Sequence, residues 1–221
     1  MDYIREAFVD GWPWMHMILL VSVVALAVVI ERFIFLFFRY NINAQAFMAQ
    51  IQKLVMANNI DRAIKLCNAA PSAALARVIK AGLTRANKGE VEIQNGLEEA
   101  TLDVIPLVEK RTASLQALAN IATLLGLLGT IIGLILAFAS LKEVAPDQRQ
   151  EALGKNIALA MNTTAFGLII AIPCIAAYVF LAGVTKKIIN EIDSYSVKLE
   201  NLLVSRLRGG GAVSGGEDER K

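Results

Sequence analysis

Hydroxyl and amide side chains interrupt two long apolar stretches and are the first candidates for chemistry. Thr123 and Thr130 lie in IATLLGLLGTIIGLILAFASL, and Asn162, Thr163 and Thr164 lie together in NIALAMNTTAFGLIIAIPCIAAYVF. A hydroxyl both donates and accepts hydrogen bonds, so a line of hydroxyls can solvate an acid or relay a proton without permanent charge. The alternative is that each threonine only bonds back to a carbonyl of its own helix.

Small residues recur in the same two stretches at helical spacing. Gly126, Gly129 and Gly133 form a stripe in the first of them, and Gly167 and Ala171 lie in the second. Without large side chains on one face, another helix can approach closely, so these residues are predicted to pack helices together. We expect the stripe to help hold copies of the chain in an assembly.

Catalytic motifs are missing from the sequence. It contains no HExxH, no CxxC, no phosphate-binding glycine loop and no Ser/His pair in an apolar stretch. The only histidine, His16, forms no metal site alone, and Cys67 and Cys174 are expected to be free thiols. We therefore predict a protein that is not an enzyme and has no cofactor. The net charge of +2 is too small for a nucleic-acid surface, so no nucleic-acid binding is predicted.

The elements that position the candidate residues are membrane spans. The 221-residue chain is 56% hydrophobic and only 19% charged. Charge is absent from residues 11–30, 112–141 and 156–185. A bilayer core needs about 20 apolar helical residues. We predict an all-α, polytopic membrane protein whose transmembrane helices cover residues 14–38, 116–141 and 156–183.

Lysine and arginine counts predict the orientation. Segment 39–111 carries ten and segment 186–221 carries seven, whereas residues 1–13 carry one and residues 142–155 carry three. The positive-inside rule places the two richer segments in the cytoplasm. The predicted order begins with a periplasmic segment (1–13), the first span (14–38), a cytoplasmic helical loop (39–115) and the second span (116–141). It continues with a periplasmic loop (142–155), the third span (156–183), a cytoplasmic helix (184–208) and a disordered tail (209–221).

Two spans are expected to continue as helices far into the cytoplasm. A helical pattern runs from Glu90 to Leu141 without a clear stop, and Pro106 is the expected position of a kink. The third span continues as a 4-3-4-3 apolar seam, which needs a partner surface. Either the chain's own loop helices or neighbouring subunits could provide it. The seam consists of Ile188, Ile192, Tyr195, Leu199 and Leu202.

Three strings resemble the MotA/TolQ/ExbB proton-channel family. GLLGTIIGL at 126–134 and TTAFGLIIAIP at 163–173 are similar to its two signature segments, and GWPWMHMILLVSVVALAVVIER at 11–32 is similar to the first span of the ExbB/TolQ branch. MotA-type stators have four spans, so three favour the ExbB/TolQ side. The chain departs from that pattern at Leu159, where the resemblance would place a glutamate, and at Thr123, where ExbB-like chains often have proline.

The resemblance implies an assembly in the bacterial inner membrane. Such subunits form a homopentameric ring around two copies of a single-span partner, of the ExbD or TolR type, whose helix carries one aspartate. Protons flowing inward bind and leave that aspartate, and the partner moves relative to the ring. Thr130 and Thr164 match the family's two pore threonines.

The expected function is that of a ring subunit in a motor driven by the proton-motive force. The transported ion is expected to be H⁺, with Na⁺ left open. The process that it energises, whether envelope transport, envelope maintenance or motility, is also left open. The alternative is a non-conducting membrane scaffold that anchors a partner complex, which the absence of an acid in the third span favours.

Overall fold

Every regular element in the computed structural model is a helix, within the residues that it describes, 14–40, 42–142 and 145–214. The expected periplasmic segment 1–13 lies outside this part of the chain. The helices are α1 (Trp14–Ile34, continued by a π-helical segment, Phe35–Tyr40), α2 (Ala44–Met56), α3 (Ile60–Ala69), α4 (Ala74–Thr84), α5 (Glu90–Glu109), α6 (Thr112–Ser140) and α7 (Arg149–Ser214).

Three helical segments are long and apolar enough to cross a membrane. They contain α1, α6 and the first part of α7. Many of their large apolar side chains are exposed in the single chain, among them Leu20, Leu124 and Ile169. Lipid tails are as apolar as leucine, so these side chains are solvated by the bilayer without cost. The all-α, multi-pass membrane fold expected from the sequence is confirmed.

The chain divides into two compact units. The spanning unit comprises Met1–Arg32 and Arg111–Leu181, and the loop unit comprises Phe33–Lys110 and Ala182–Lys221. Helix α7 contributes residues to both. The free cysteines Cys67 and Cys174 belong to different units.

The loop unit encloses its own apolar core between α2, α3, α4, α5 and the later part of α7. Asn43 caps α2, since its side-chain oxygen accepts the Ala46 amide at 3.1 Å. Asn58 adopts a left-handed conformation with φ of 58° and separates α2 from α3. The seam residues Ile192 and Leu199 of α7 are fully buried in this core. The chain's own loop helices therefore cover the seam.

The helical segment expected from Glu90 to Leu141 is confirmed in its extent, Glu90–Ser140, but its irregularity lies after Pro106 and not at it. Pro106 lies inside α5, and the helix is interrupted at Lys110 and Arg111. Lys110 is extended, with ψ of 132°, and Arg111 is left-handed, with φ of 62°. Gly, Asn and Asp are the residues that indicate a left-handed turn in a sequence, so the interruption at an arginine could not be predicted.

The last helix also extends beyond its expected boundary at residue 208. It continues to Ser214, and residues 215–221 of the expected disordered tail lie outside the described part. Glycine is a poor helix former, but adding residues to an existing helix avoids the cost of nucleation.

Truncating the buried seam should destabilise the loop unit. We expect Leu199→Ala, at a side chain with 0% exposure, to cost about 2–5 kcal/mol and to lower the melting temperature in detergent. Val197→Ala is the matched control, because Val197 lies on the same helix with 56% exposure. Thermal melts followed by circular dichroism provide the measurement. Equal shifts for both variants would contradict the assignment of the seam to this core.

Candidate functional site

The candidate site lies where α6 and α7 cross the membrane side by side. Their backbones approach so closely that side chains are excluded at two glycines. A Cβ atom placed on Gly133 would lie 2.6 Å from the Cβ of Ala160, and one on Gly167 would lie 2.7 Å from the carbonyl oxygen of Ala122. Contacts this short do not occur between real side chains and their neighbours, so only glycine fits.

The rest of the small-residue stripe faces the same helix. A Cβ on Gly129 would lie 2.6 Å from Thr163 Oγ1, and one on Gly126 would lie 3.2 Å from the Thr164 Cα. Ala171 is buried against Ala119 and Ala122. The stripe is therefore filled by α7 of the same chain. Periodicity shows that a helix approaches without showing whose helix it is, and within one chain that helix is α7. A role of the stripe in joining copies of the chain stays a prediction.

Two threonine hydroxyls meet at this close approach. Thr164 Oγ1 donates a hydrogen bond across the interface to the Gly126 carbonyl at 2.8 Å. Thr130 Oγ1 donates to the same carbonyl at 3.1 Å, and the two hydroxyl oxygens are in direct contact. Both side chains are half-buried. We call Thr130, Thr164 and the Gly126 carbonyl the hydroxyl cluster.

The hydroxyl cluster has more donors than its carbonyl can accept. In helical geometry the Gly126 carbonyl also accepts the amide of Thr130, four residues later. A carbonyl oxygen has two lone pairs, and three donors compete for them. One hydroxyl proton is therefore held weakly and can turn to the other hydroxyl or to an outside acceptor. Such an arrangement can solvate an anion or pass a hydrogen bond along.

The remaining predicted pathway residues lie in other environments. Thr163 is buried, and its hydroxyl donates to the Ala160 carbonyl at 2.7 Å. Thr123 donates to the Ala119 carbonyl at 3.0 Å, and Asn162 is half-buried on α7. Thr163 and Thr123 thus form the local back-bonds of the alternative interpretation, and Thr130 forms one as well through its bond to the Gly126 carbonyl, four residues earlier. The structure brings together only Thr130 and Thr164, and the ion-path role of all five residues stays a prediction.

The sequence did not reveal two polar contacts of the spanning unit. Arg111 Nη1 lies 2.5 Å from both carboxylate oxygens of Glu31, near the end of α1. At the opposite end of α6, Asn156 Nδ2 donates to Ser140 Oγ at 3.1 Å. The partners in the first contact are 80 residues apart, and no local pattern links them.

The described residues contain no group of three or more His, Cys, Asp or Glu side chains placed to hold a metal ion.

Filling the space above Thr163 should disrupt the spanning unit. We expect Gly129→Leu to cost about 1–3 kcal/mol or more, because the new side chain must displace Thr163 from between two packed helices. Gly154→Leu, on α7, is the control, since a Cβ there meets nothing within 4 Å. Yield and melting temperature in detergent provide the measurement. Tolerance of Gly129→Leu equal to that of the control would contradict the packing described.

Comparison with known proteins places these features in a family. The model of the MotA/TolQ/ExbB proton channel family matches residues 70–194. The putative biopolymer transport protein ExbB-like 3 of Synechocystis sp. is 29% identical over 153 residues, which cover 68% of this chain and 71% of that protein.

Shorter matches extend to other bacteria. The putative biopolymer transport protein ExbB-like 2 of Helicobacter pylori is 32% identical over 40% of this chain and 58% of its own length. The biopolymer transport protein ExbB of Aquifex aeolicus is 39% identical over 33% of this chain and 48% of its own. Since the family model matches more than half of the 221 residues of this chain, the chain belongs to the MotA/TolQ/ExbB proton channel family.

Proposed function

We propose that this protein is a ring subunit of an inner-membrane motor driven by the proton-motive force. In this proposal it conducts ions together with a single-span partner of the ExbD or TolR type. The hydroxyl cluster carries the proposal, since it places two half-buried hydroxyls and one carbonyl between two spans. Family membership and the names of the relatives, biopolymer transport proteins, support it.

The proton-binding carboxylate of this motor is assigned to the partner. The runs 112–141 and 156–185 contain no acidic residue, so the two spans that hold the cluster supply no carboxylate. An ionised carboxylate is a stronger acceptor than a neutral carbonyl. It would draw the weakly held hydroxyl proton of the cluster away from Gly126. When the carboxylate is protonated it is a weaker acceptor, and the hydroxyl would turn back to the Gly126 carbonyl.

The energies involved match those of a stepwise motor. A charged aspartate at the bilayer centre costs about 2.5–3.5 kcal/mol on insertion scales. Moving one charge through the membrane potential releases about 2.3 kcal/mol per 100 mV. Protonation removes a cost of the same size as the energy supplied, so each proton can switch the environment that the partner helix prefers.

The proposed assembly is a homopentamer around two copies of the partner. The N-terminus lies in the periplasm and the C-terminus in the cytoplasm, in accordance with the lysine and arginine counts. The transported ion is proposed to be H⁺. Dependence of motor output on external Na⁺ at constant membrane potential would assign Na⁺ instead.

A non-conducting scaffold is the second candidate. Leu159 favours it, because this half-buried position is where the family resemblance implies a glutamate. A scaffold predicts that the complex purified through a tag on this chain carries no proton current. A motor predicts a current that disappears when the membrane aspartate of the co-purified partner is changed to asparagine.

Removing the hydroxyl of Thr164 should abolish function without disrupting assembly. Thr164→Val retains the shape and removes one donor and one acceptor. Loss of one hydrogen bond between membrane helices costs only about 1 kcal/mol, so the complex should still form. We expect loss of proton flux in proteoliposomes of the purified complex, and Thr130→Val should behave alike.

Thr163→Val is the matched control for this experiment. Thr163 is adjacent in sequence but points about 100° away around the helix. Its hydroxyl bonds only to its own helix among the contacts described, and the valine still fills the space beside Gly129. Flux should therefore fall only mildly. Normal flux through an assembled Thr164→Val complex would remove the pathway role of the hydroxyl cluster.

The orientation is testable with new cysteines. The natural cysteine of the loop unit, Cys67, is unsuitable for labelling. Burial raises the pKa of its thiol to about 11, although the positive charge of Lys80 acts to lower it. Below that pH the group stays protonated and reacts slowly. In a Cys67→Ala background, Asn95→Cys and Gln150→Cys place thiols at exposed positions in the proposed cytoplasmic loop and near the start of α7.

A membrane-impermeant maleimide applied to intact cells should label Gln150→Cys and leave Asn95→Cys unlabelled. Permeabilised cells should label both, which controls for accessibility. Labelling of Asn95→Cys from outside intact cells would reverse the orientation.

A further inference from the structure

A second polar contact joins α6 and α7 at the end of the spans nearest to the 141–148 connection. Asn156 Nδ2 donates to Ser140 Oγ at 3.1 Å, and Ser140 Oγ donates to the Ala137 carbonyl at 2.8 Å. Both side chains are half-buried. Neither residue belongs to the hydroxyl cluster, yet both lie on the two helices that form it.

The hydrogen-bonding capacity of Asn156 exceeds what Ser140 uses. A side-chain amide has two N–H donors and an oxygen with two lone pairs, and the contact engages one donor. The serine proton is directed at Ala137, so the serine acts towards Asn156 as an acceptor. Water is the natural partner for the remaining capacity of a half-buried amide.

The contact also coincides with the ends of the charge-free runs. Lys155 directly precedes Asn156, and Lys142 follows two residues after Ser140. Charged residues mark the level at which a span meets the water interface. In the proposed orientation this is the periplasmic side, from which protons enter.

Helical geometry relates this position to the hydroxyl cluster. From Asn156 to Thr164 the axis rises about 12 Å, and the two residues lie within an arc of about 80°. Between them, the tight contact of Gly133 with Ala160 closes the space between the two backbones. A path for water from Asn156 to Thr164 would therefore have to follow an edge of the interface rather than its centre.

We propose that Asn156, held in place by Ser140, is the water-binding entrance through which hydrated protons reach the hydroxyl cluster. The proposal rests on the proposed function. Asn156 is a pathway residue because it binds the incoming water, whereas Ser140 is a positioning residue because it acts through Asn156.

The test compares three variants with Thr164→Val in one assay. The complex purified through a tag on this chain is placed in proteoliposomes, and a potassium diffusion potential drives protons past an internal pH dye. Asn156→Leu removes the water-binding group, Asn156→Asp replaces it with an ionisable one, and Ser140→Ala removes only the support.

An entrance role gives a distinctive pattern. Asn156→Leu should lower proton flux about tenfold, the effect of losing about one hydrogen bond to the conducted species. Assembly and melting temperature should be unchanged. Asn156→Asp should conduct and keep its flux to higher external pH, because a carboxylate concentrates protons. Ser140→Ala should lower flux by less than Asn156→Leu.

Four outcomes would overturn the proposal. If Asn156→Leu conducts normally while Thr164→Val does not, the pathway stands and its entrance is elsewhere. If Asn156→Leu and Ser140→Ala lower melting temperature and flux together, and Asn156→Asp leaves the pH profile unchanged, the contact only joins the helices. If Thr164→Val also conducts normally, the hydroxyl cluster is not on the pathway and an entrance to it has no meaning; if the unaltered complex carries no proton current, the proposed function itself fails.

Discussion

The close approach of α6 and α7 is the constraint on which the candidate site depends. A helix carbonyl is normally covered by neighbouring side chains and satisfied by its own helix. Gly126 has no Cβ, and Gly167 lies opposite it, so a side chain of the other helix reaches its carbonyl. Any larger residue at these positions would separate the backbones and withdraw the Thr164 hydroxyl from the carbonyl. The glycines thus determine the chemistry of the site as well as its packing.

The loop unit gives the third span a second role. Helix α7 carries the threonines in its first part and buries Ile192 and Leu199 in the core of the loop unit further along. In the spanning unit α7 packs through small residues, and in the loop unit it packs through large apolar ones.

Much of the fold could be predicted from the sequence, because each prediction depended on a strong and local signal. Charge-free runs longer than the bilayer core identified the spans, and apolar spacing identified the seam. The break at Arg111 was missed because a left-handed arginine has no compositional signature. The ion pair of Arg111 with Glu31 was missed because only the three-dimensional structure brings such distant residues together.

The candidate site shows a different limit of prediction from sequence, because two adjacent residues of the same type can have different roles. Thr163 and Thr164 are the same residue type, and composition cannot separate a threonine that only packs from one whose hydroxyl reaches the neighbouring helix. Rotation by about 100° places the first against Gly129 and the second beside Gly126 and Thr130. The two roles are linked, since the side chain of Thr163 occupies the space that Gly129 leaves and so sets the register of α7 against α6. That register is what brings the Thr164 hydroxyl within 2.8 Å of the Gly126 carbonyl. The threonine that serves packing therefore determines where the threonine available for chemistry points.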